Sequence, residues 1–406
     1  MRIVGFVRIW PTHHPVGGMQ IHARNLYRGL AARGHDVHVL TTAHPAGFNG
    51  CSEEHGIKVH YLSDCPAALY SEQYFHLAAQ TLRAIDSETP VDIIHSESSC
   101  ANRELLGKWP IVATWHGLEY CTLRTILNVA QARADNNRAA VLDAIPSHAA
   151  GLLREIGILR QYDQSIAISH QAYRDLSVVY QIPSIQRLLV FNGFDISHFR
   201  RDAGLRLETR RRYNIPTDII VVGVAGRLVE DKGHLRLLSI LPSLCLEDKK
   251  LLFLVVGDGP ASRAYEQLQL DNVRYVGPIT YEDMPAMYNA FDLLLNPTFR
   301  YGGLDMTIQE AMLCGVPVLA TDVGSIKTSL LPFWRYGTTF SLCDEKDMIR
   351  KLRILTNRRD LKQLGTAASE YARQRFSLDQ MCSGTEHGMD RAIHVWRKRW
   401  KCSNMD

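Results

Sequence analysis

Short apolar runs alternate with longer amphipathic stretches along this chain. Ile3–Ile9 reads as a buried strand, Gly17-Gly18 follows it, and helical periodicity then runs from about Met19 to Arg33. Gly34 ends that helix, as glycine does where a helix closes in the left-handed conformation. Asp36–Thr42, Lys58–Leu62, Asp92–His95, Ile111–Trp115, Ser165–Ile168 and Leu188–Phe191 read as further strands. The pattern then restarts with Ile219–Ala225, Leu251–Val256, Val273–Val276, Asp292–Asn296 and Val316–Thr321. Strands alternating with helices predict parallel βαβ units in doubly wound sheets. The expected fold class is therefore α/β, with two Rossmann-like doubly wound domains facing across a cleft. Ligands of such sheets bind beyond the carboxyl ends of the strands. The first domain is expected over residues 1–195 and the second over 218–377. Residues 196–217 read as a linker, because they are charged, hold Arg210-Arg211-Arg212 and lack a long apolar run. Residues 378–406 read as a C-terminal helix packing back on the first domain.

A length of 406 residues suits two domains of about 200 residues each, enough to bury two cores. The net charge of +4 is mild. It argues against a nucleic-acid partner, which needs a concentrated basic face, and it fits partners that carry phosphate. Nine cysteines include no Cys-x-x-Cys pair, which argues against a zinc ribbon or a redox pair. Their odd number, without a secretory leader, predicts reduced thiols and a cytoplasmic protein. No run approaches the roughly 18 apolar residues of a membrane span. The run Trp396-Arg397-Lys398-Arg399-Trp400-Lys401 is a candidate for peripheral membrane contact. The reading preferred for it is a solvated helix end whose cations suit the helix dipole.

Three constellations carry candidate chemistry. Gly17 and Gly18 open a helix after a strand, where backbone N–H groups can approach a phosphate; an ordinary tight turn reads the same way. Gly226-Arg227-Leu228-Val229-Glu230-Asp231-Lys232-Gly233 joins a strand end to a helix. Arg227 and Lys232 there could hold a diphosphate, unless Lys232 pairs with Asp231 or Glu230. The third runs from Leu304 to Val318 and reads as a loop, a helix from about Asp305 to Cys314, and a strand. Asp305 is expected to help cap that helix, and the backbone near Met306 and Thr307 to bind phosphate. Glu310 falls mid-helix, where it would accept hydrogen bonds from a ribose diol if it faces the cleft, or else face solvent. His116 lies just past a strand end, a place where both cleft and structural histidines occur. His13 and His14 read as loop residues, and Ser169 as a helix cap.

In this order the pieces resemble the retaining nucleotide-sugar glycosyltransferases of family 4, which have the GT-B fold. The resemblance rests on Gly17-Gly18, Gly34-His35-x-Val37, Asn192-Gly193-x-Asp195, the Gly-Arg-x4-Lys-Gly loop, Gly257-Asp258-Gly259-Pro260 and the run from Glu310 to Pro317. It implies that Arg227 and Lys232 bind the donor diphosphate, aided by backbone at Gly17-Gly18. It also implies that Glu310 holds the ribose and His116 contacts the transferred sugar. The base is expected near Gly277-Pro278-Ile279, and sugar-contacting backbone at Gly303, Leu304 and Asp305. The family needs no metal as a rule, and the chain has no Asp-x-Asp motif. No cofactor is expected beyond the nucleotide-sugar donor, with UDP-glucose the first choice. The acceptor, whether sugar, lipid-linked or small molecule, stays open; the loops 42–49, 65–73 and 119–133 are where it is expected. The chain departs from the family at one place: Gly302 stands where the first of two motif glutamates falls, and Asp305 is the nearest acid.

Rival readings fare less well. A dinucleotide oxidoreductase would need Gly-x-Gly-x-x-Gly, which neither half has. A non-catalytic or donor-hydrolysing sugar-nucleotide binder, suggested by Gly302, and a nucleotide-sugar epimerase stay open.

Overall fold

The computed structural model describes residues 1–13, 17–69, 71–99, 104–133, 138–247 and 249–401; His14 lies outside these. The described residues form two sheets. The first takes β1 (Arg2–Phe6), β2 (Asp36–Thr42), β3 (Gly50–Glu54), β4 (Ile57–Leu62), β5 (Ile93–Glu97), β6 (Ile111–Trp115), β7 (Gln164–Ala167) and β8 (Arg187–Leu189), in the spatial order β3-β4-β2-β1-β5-β6-β7-β8. All its pairings are parallel except β3 with β4. The second takes β9 (Ile220–Ala225), β10 (Leu251–Val256), β11 (Val273–Gly277), β12 (Leu293–Asn296), β13 (Val318–Thr321) and β14 (Thr339–Phe340), all parallel, in the order β11-β10-β9-β12-β13-β14. The two parallel α/β domains expected from the strand–helix alternation are present. The order reverses between β1 and β5 in one sheet and between β9 and β12 in the other. Those switch points mark where loops diverge and a ligand can enter.

The chain divides into two units. The first holds Met1–Tyr120, Ala150–Gly193 and Ser377–Asp406; the second holds Cys121–Ala149 and Phe194–Phe376. The sequence reading had placed residues 121–149 in the first domain. In the structure they join the second through contacts that include Asn128 Nδ2 donating to the Phe299 carbonyl (2.9 Å), the Tyr301 amide donating to Thr125 Oγ1 (3.0 Å) and Arg133 pairing with Glu230 (2.5 Å). Nor are residues 196–217 a bare linker. They contain the helix Ala203–Arg212, capped by Asp202, whose Arg206 and Arg210 both pair with Asp292. Its charge hides the helix from the sequence, because its buried residues are Thr209 and Arg210 rather than apolar side chains.

The C-terminal helix Leu378–Trp396 packs on the first unit, as expected. Its buried positions, Met381, Cys382, Thr385, Gly388, Met389, Ala392 and Val395, recur at helical spacing. Met381, Cys382, Met389 and Ala392 join a core with Leu26, Leu30, Ile166 and Val190. Each large apolar side chain fully buried in this way contributes roughly 1.5–3 kcal/mol. The basic end is more than a solvated terminus. Trp396 Nε1 donates to the Gly107 carbonyl (3.1 Å), and Arg399 Nη1 reaches the Tyr162 carbonyl (3.4 Å). No described helix is long and apolar enough to cross a membrane.

Candidate functional site

In the second unit, the switch point brings the loop after β9 against the loop after β12. The Phe299 amide donates to the Asp231 carbonyl (2.8 Å), and Thr298 Oγ1 donates to the same oxygen (3.2 Å). Gly233 has φ +80°, and a Cβ there would lie 2.0 Å from the Pro297 carbonyl oxygen. Only glycine permits both that conformation and that approach. The glycine that closes the motif is thus required by its contact with the second loop.

This contact places Lys232 beside Asp305. Lys232 Nζ lies 2.5 Å from Asp305 Oδ1, and Asn296 Nδ2 donates to Asp305 Oδ2 (3.1 Å). Burial lowers the Lys232 pKa in spite of that anion. Burial disfavours the charge on Asp305, but Lys232 and Arg300 outweigh it and hold the carboxyl below its ordinary range. Lys232 therefore pairs with neither Asp231 nor Glu230, the partners the sequence offered. Asp305 occupies the N-cap position of the helix Met306–Leu313, but its side chain makes no capping hydrogen bond. The expected cap is replaced by the ion pair. Arg227 is exposed and forms no ion pair among the described residues. Thr307 lies close by, its Cγ2 3.6 Å from where a Cβ on Gly226 would stand.

Glu310, on the same helix as Thr307, does not face solvent; it is 5% exposed. Tyr288 Oη donates to its Oε2 (2.6 Å). Burial pushes the Glu310 carboxyl up to about 7, against the pull of that hydrogen bond. Gly303 and Leu304 lie in the turn before the helix, and Ile279 follows β11 in a partly exposed loop. At Gly302 a Cβ would stand 3.1 Å from Cys121 Cβ. The position of the missing glutamate thus presses on the helix Glu119–Ala132.

The first unit holds the remaining candidates. The Gly17 amide, expected to be open to phosphate, donates to Gln20 Oε1 (2.9 Å), while Gly18 begins the helix Gly18–Ala32 and is exposed. Ser169 caps its helix by accepting from the Ala172 amide (3.1 Å). His13 is buried, and its Nε2 lies 2.9 Å from the Ala43 carbonyl, a structural role.

His116 follows β6 directly. The β5–β6 register sets Glu97 opposite Thr114, so the last residue of β5 meets the first residue beyond β6. His116 Nε2 hydrogen-bonds Glu97 Oε2. Burial holds the His116 imidazole down to about 4. His22 packs edge-on to it, with ring centroids 4.6 Å apart, and is also lowered to about 4 by burial. His22, Glu97 and His116 present ligand atoms within 4.8 Å of one another, a set of two imidazoles and a carboxylate that a divalent transition ion accepts. Sequence reasoning missed Glu97, because the expected strand Asp92–His95 stopped two residues short. An acid ending a fully buried strand at a switch point was the available signal. Tyr288 and Asn296 were missed as well, since neither lies in a recognisable motif.

Comparison with known proteins bears on the family and the fold. Residues 16–198 match the sequence model of the family described as Glycosyltransferase Family 4, and residues 219–357 match that of Glycosyl transferases group 1. D-inositol 3-phosphate glycosyltransferase of Salinispora tropica is 27% identical over 355 residues, 79% of this chain and 70% of its own length. That of Streptomyces scabiei is 25% identical over 418 residues, 96% of this chain and 90% of its own. The fold is similar to sucrose-phosphate synthase from Thermosynechococcus elongatus, with TM-score 0.73, 20% identity and coverage of 97% of this chain and 100% of that one. It is also similar to Anabaena HepE in complex with UDP and glucose, with TM-score 0.67, 16% identity and coverage of 96% and 99%. The chain belongs to the glycosyltransferases and has the two-domain GT-B fold.

Proposed function

We propose that this glycosyltransferase moves a hexose, glucose as first choice, from a UDP-sugar to an acceptor with retention of anomeric configuration and without a metal. The observation that carries the reading is the cationic loop Arg227–Lys232, set at the second sheet's switch point beside the N-terminus of the helix Met306–Leu313. That is where a pyrophosphate gains most from fixed positive charge.

As the anomeric C–O bond to the diphosphate breaks, negative charge collects on the departing oxygen. Lys232, Arg227 and the amides of Met306 and Thr307 are assigned to stabilise it. The acceptor oxygen bonds to the anomeric carbon on the same face, and its proton passes to the leaving phosphate oxygen. Glu310 is assigned to the ribose, the backbone near Ile279 to the base, and the turn Gly303–Asp305 to the sugar. His116 meets the transferred sugar.

The test is a panel of UDP-, GDP- and ADP-sugars scored for transfer, for hydrolysis and for thermal shift. Transfer from a UDP-hexose with a retained anomer is the expected result. Arg227→Ala and Lys232→Ala should each reduce turnover by about 10²–10³. Wild-type turnover in Arg227→Ala would sink the reading.

A second reading draws on Gly302, which leaves the place of a motif glutamate without a carboxylate. On it the protein binds the donor and hydrolyses it or leaves it intact. Donor binding without transfer to any acceptor would favour that reading.

A further inference from the structure

We infer that Thr125 and Asn128 are positioning residues for the donor: they hold the loop 297–304 in the shape that keeps Asp305 beside Lys232. The inference rests on the proposed function, which sets the diphosphate at Lys232.

The loop joins β12 to the helix Met306–Leu313 and has no helix or strand of its own. Its buried backbone groups must therefore find partners elsewhere. The helix Glu119–Ala132 supplies two of them. Cys121, Thr125 and Asn128 follow one another at intervals of four and three, so they share one face of that helix. Thr125 Oγ1 donates its one proton to the Cys121 carbonyl (2.8 Å), which leaves a lone pair to accept from the Tyr301 amide (3.0 Å). Asn128 is 8% exposed and donates Nδ2 to the Phe299 carbonyl (2.9 Å). The Arg124 guanidinium lies 4.9 Å from the centre of the Tyr301 ring.

The same loop reaches the cationic loop after β9. Phe299 is the middle link: its carbonyl accepts from Asn128, and its amide donates to the Asp231 carbonyl (2.8 Å). Arg300 Nε lies 3.3 Å from Asp231 Oδ2, and Arg133, one residue past the helix, pairs with Glu230 (2.5 Å). The contacts thus run from the helix through both loops and back to the helix. Lys232 adjoins Asp231 in the chain, and Asp305 follows the other loop. Loss of the helix contacts frees residues 299–301, and with them the links to Asp231 and to the turn Gly303–Asp305. Fixed charges serve a bound anion best when they need no rearrangement. Loosening the loop therefore weakens donor binding without removing a group that touches the donor.

The test is UDP binding by isothermal titration calorimetry on the full chain, with steady-state kinetics on UDP-glucose beside it. Asn128→Ala and Thr125→Val should each raise the UDP Kd and the donor KM about fivefold to tenfold, the scale of one lost hydrogen bond, and lower kcat less than about threefold. Thr125→Ser keeps the acceptor oxygen and should bind UDP as the wild type does. A residue that only supports the fold would cut the active fraction, and so kcat, and leave Kd and KM in place. An unchanged Kd in both Asn128→Ala and Thr125→Val overturns the inference, and so does an equal weakening in Thr125→Ser. Should Asn128→Ala fold poorly, the near-isosteric variants of Thr125 decide alone. Lys232→Ala separates this inference from the reading beneath it. If that variant binds UDP as tightly as the wild type, the phosphate site is overturned and the inference with it. If it binds UDP weakly while the helix variants do not, only the positioning role falls.

Discussion

Lys232 Nζ lies 2.5 Å from Asp305 Oδ1, so the cation assigned to the diphosphate already has an anion beside it. A bound diphosphate must share Lys232 with Asp305 or displace it. Asp305→Asn removes the competitor and leaves a largely buried cation unpaired. It should cost about 3–5 kcal/mol of stability, the range for breaking a buried pair. UDP should then raise the melting temperature of the variant more than that of the wild type. Equal shifts in the two proteins would show that the pair does not compete with the ligand.

Gly302→Glu restores the side chain that the family motif carries. Its Cβ would lie 3.1 Å from Cys121 Cβ, so the helix Glu119–Ala132 must give way. The expected outcome is a loss of about 1–3 kcal/mol, the scale of overpacking, with no gain in turnover. Denaturant titration and initial rates check it. A stable variant with higher turnover would show that the neighbouring helix yields freely.

Glu310 gives a pH signature. Its folded carboxyl sits at about 7, above the unfolded value of 4.5. Its contribution to stability is therefore present below pH 4.5 and is lost as pH rises to about 7. Glu310→Gln cannot titrate, yet it can still accept from Tyr288 Oη. Relative to wild type, the variant should gain roughly 3 kcal/mol between low pH and pH 8. Melting curves across that range decide it, and a difference that does not vary with pH counts against a buried acid.

Arg210 tests whether the segment before β9 is part of the second unit. It is 6% exposed, pairs with Asp292 and donates to the carbonyls of Pro216 (2.9 Å) and Ile219 (2.5 Å). Arg210→Met leaves Asp292 with Arg206 and the Val221 amide but removes the donor to Pro216 and Ile219, and should cost about 1–3 kcal/mol. A change under about 1 kcal/mol in urea titration would mean that the helix is dispensable to the unit.

Much of the architecture is legible in the chain because it rests on local periodicity. The runs Asp36–Thr42, Ile111–Trp115 and Leu251–Val256 became strands with those bounds, since strands buried on both faces read as continuous apolar runs. β3 (Gly50–Glu54) was not legible, for its residues are polar and mostly exposed. It is a strand by virtue of antiparallel pairing with β4, a property of the partner. The helix Ala203–Arg212 was hidden for a related reason: its arginines are held by Asp292, far along the chain.

For the site, the sequence by itself determined which loops carry charge and glycine, and that they follow strands. It could do so because turn chemistry and strand ends are written in adjacent residues. The tertiary structure decided the partners. It gave Lys232 to Asp305, Glu310 to Tyr288 and His116 to Glu97, and it set which of these groups lie away from water. Burial and pairing depend on residues that only the sheet order brings together, and they fix whether a carboxyl or an imidazole carries its charge.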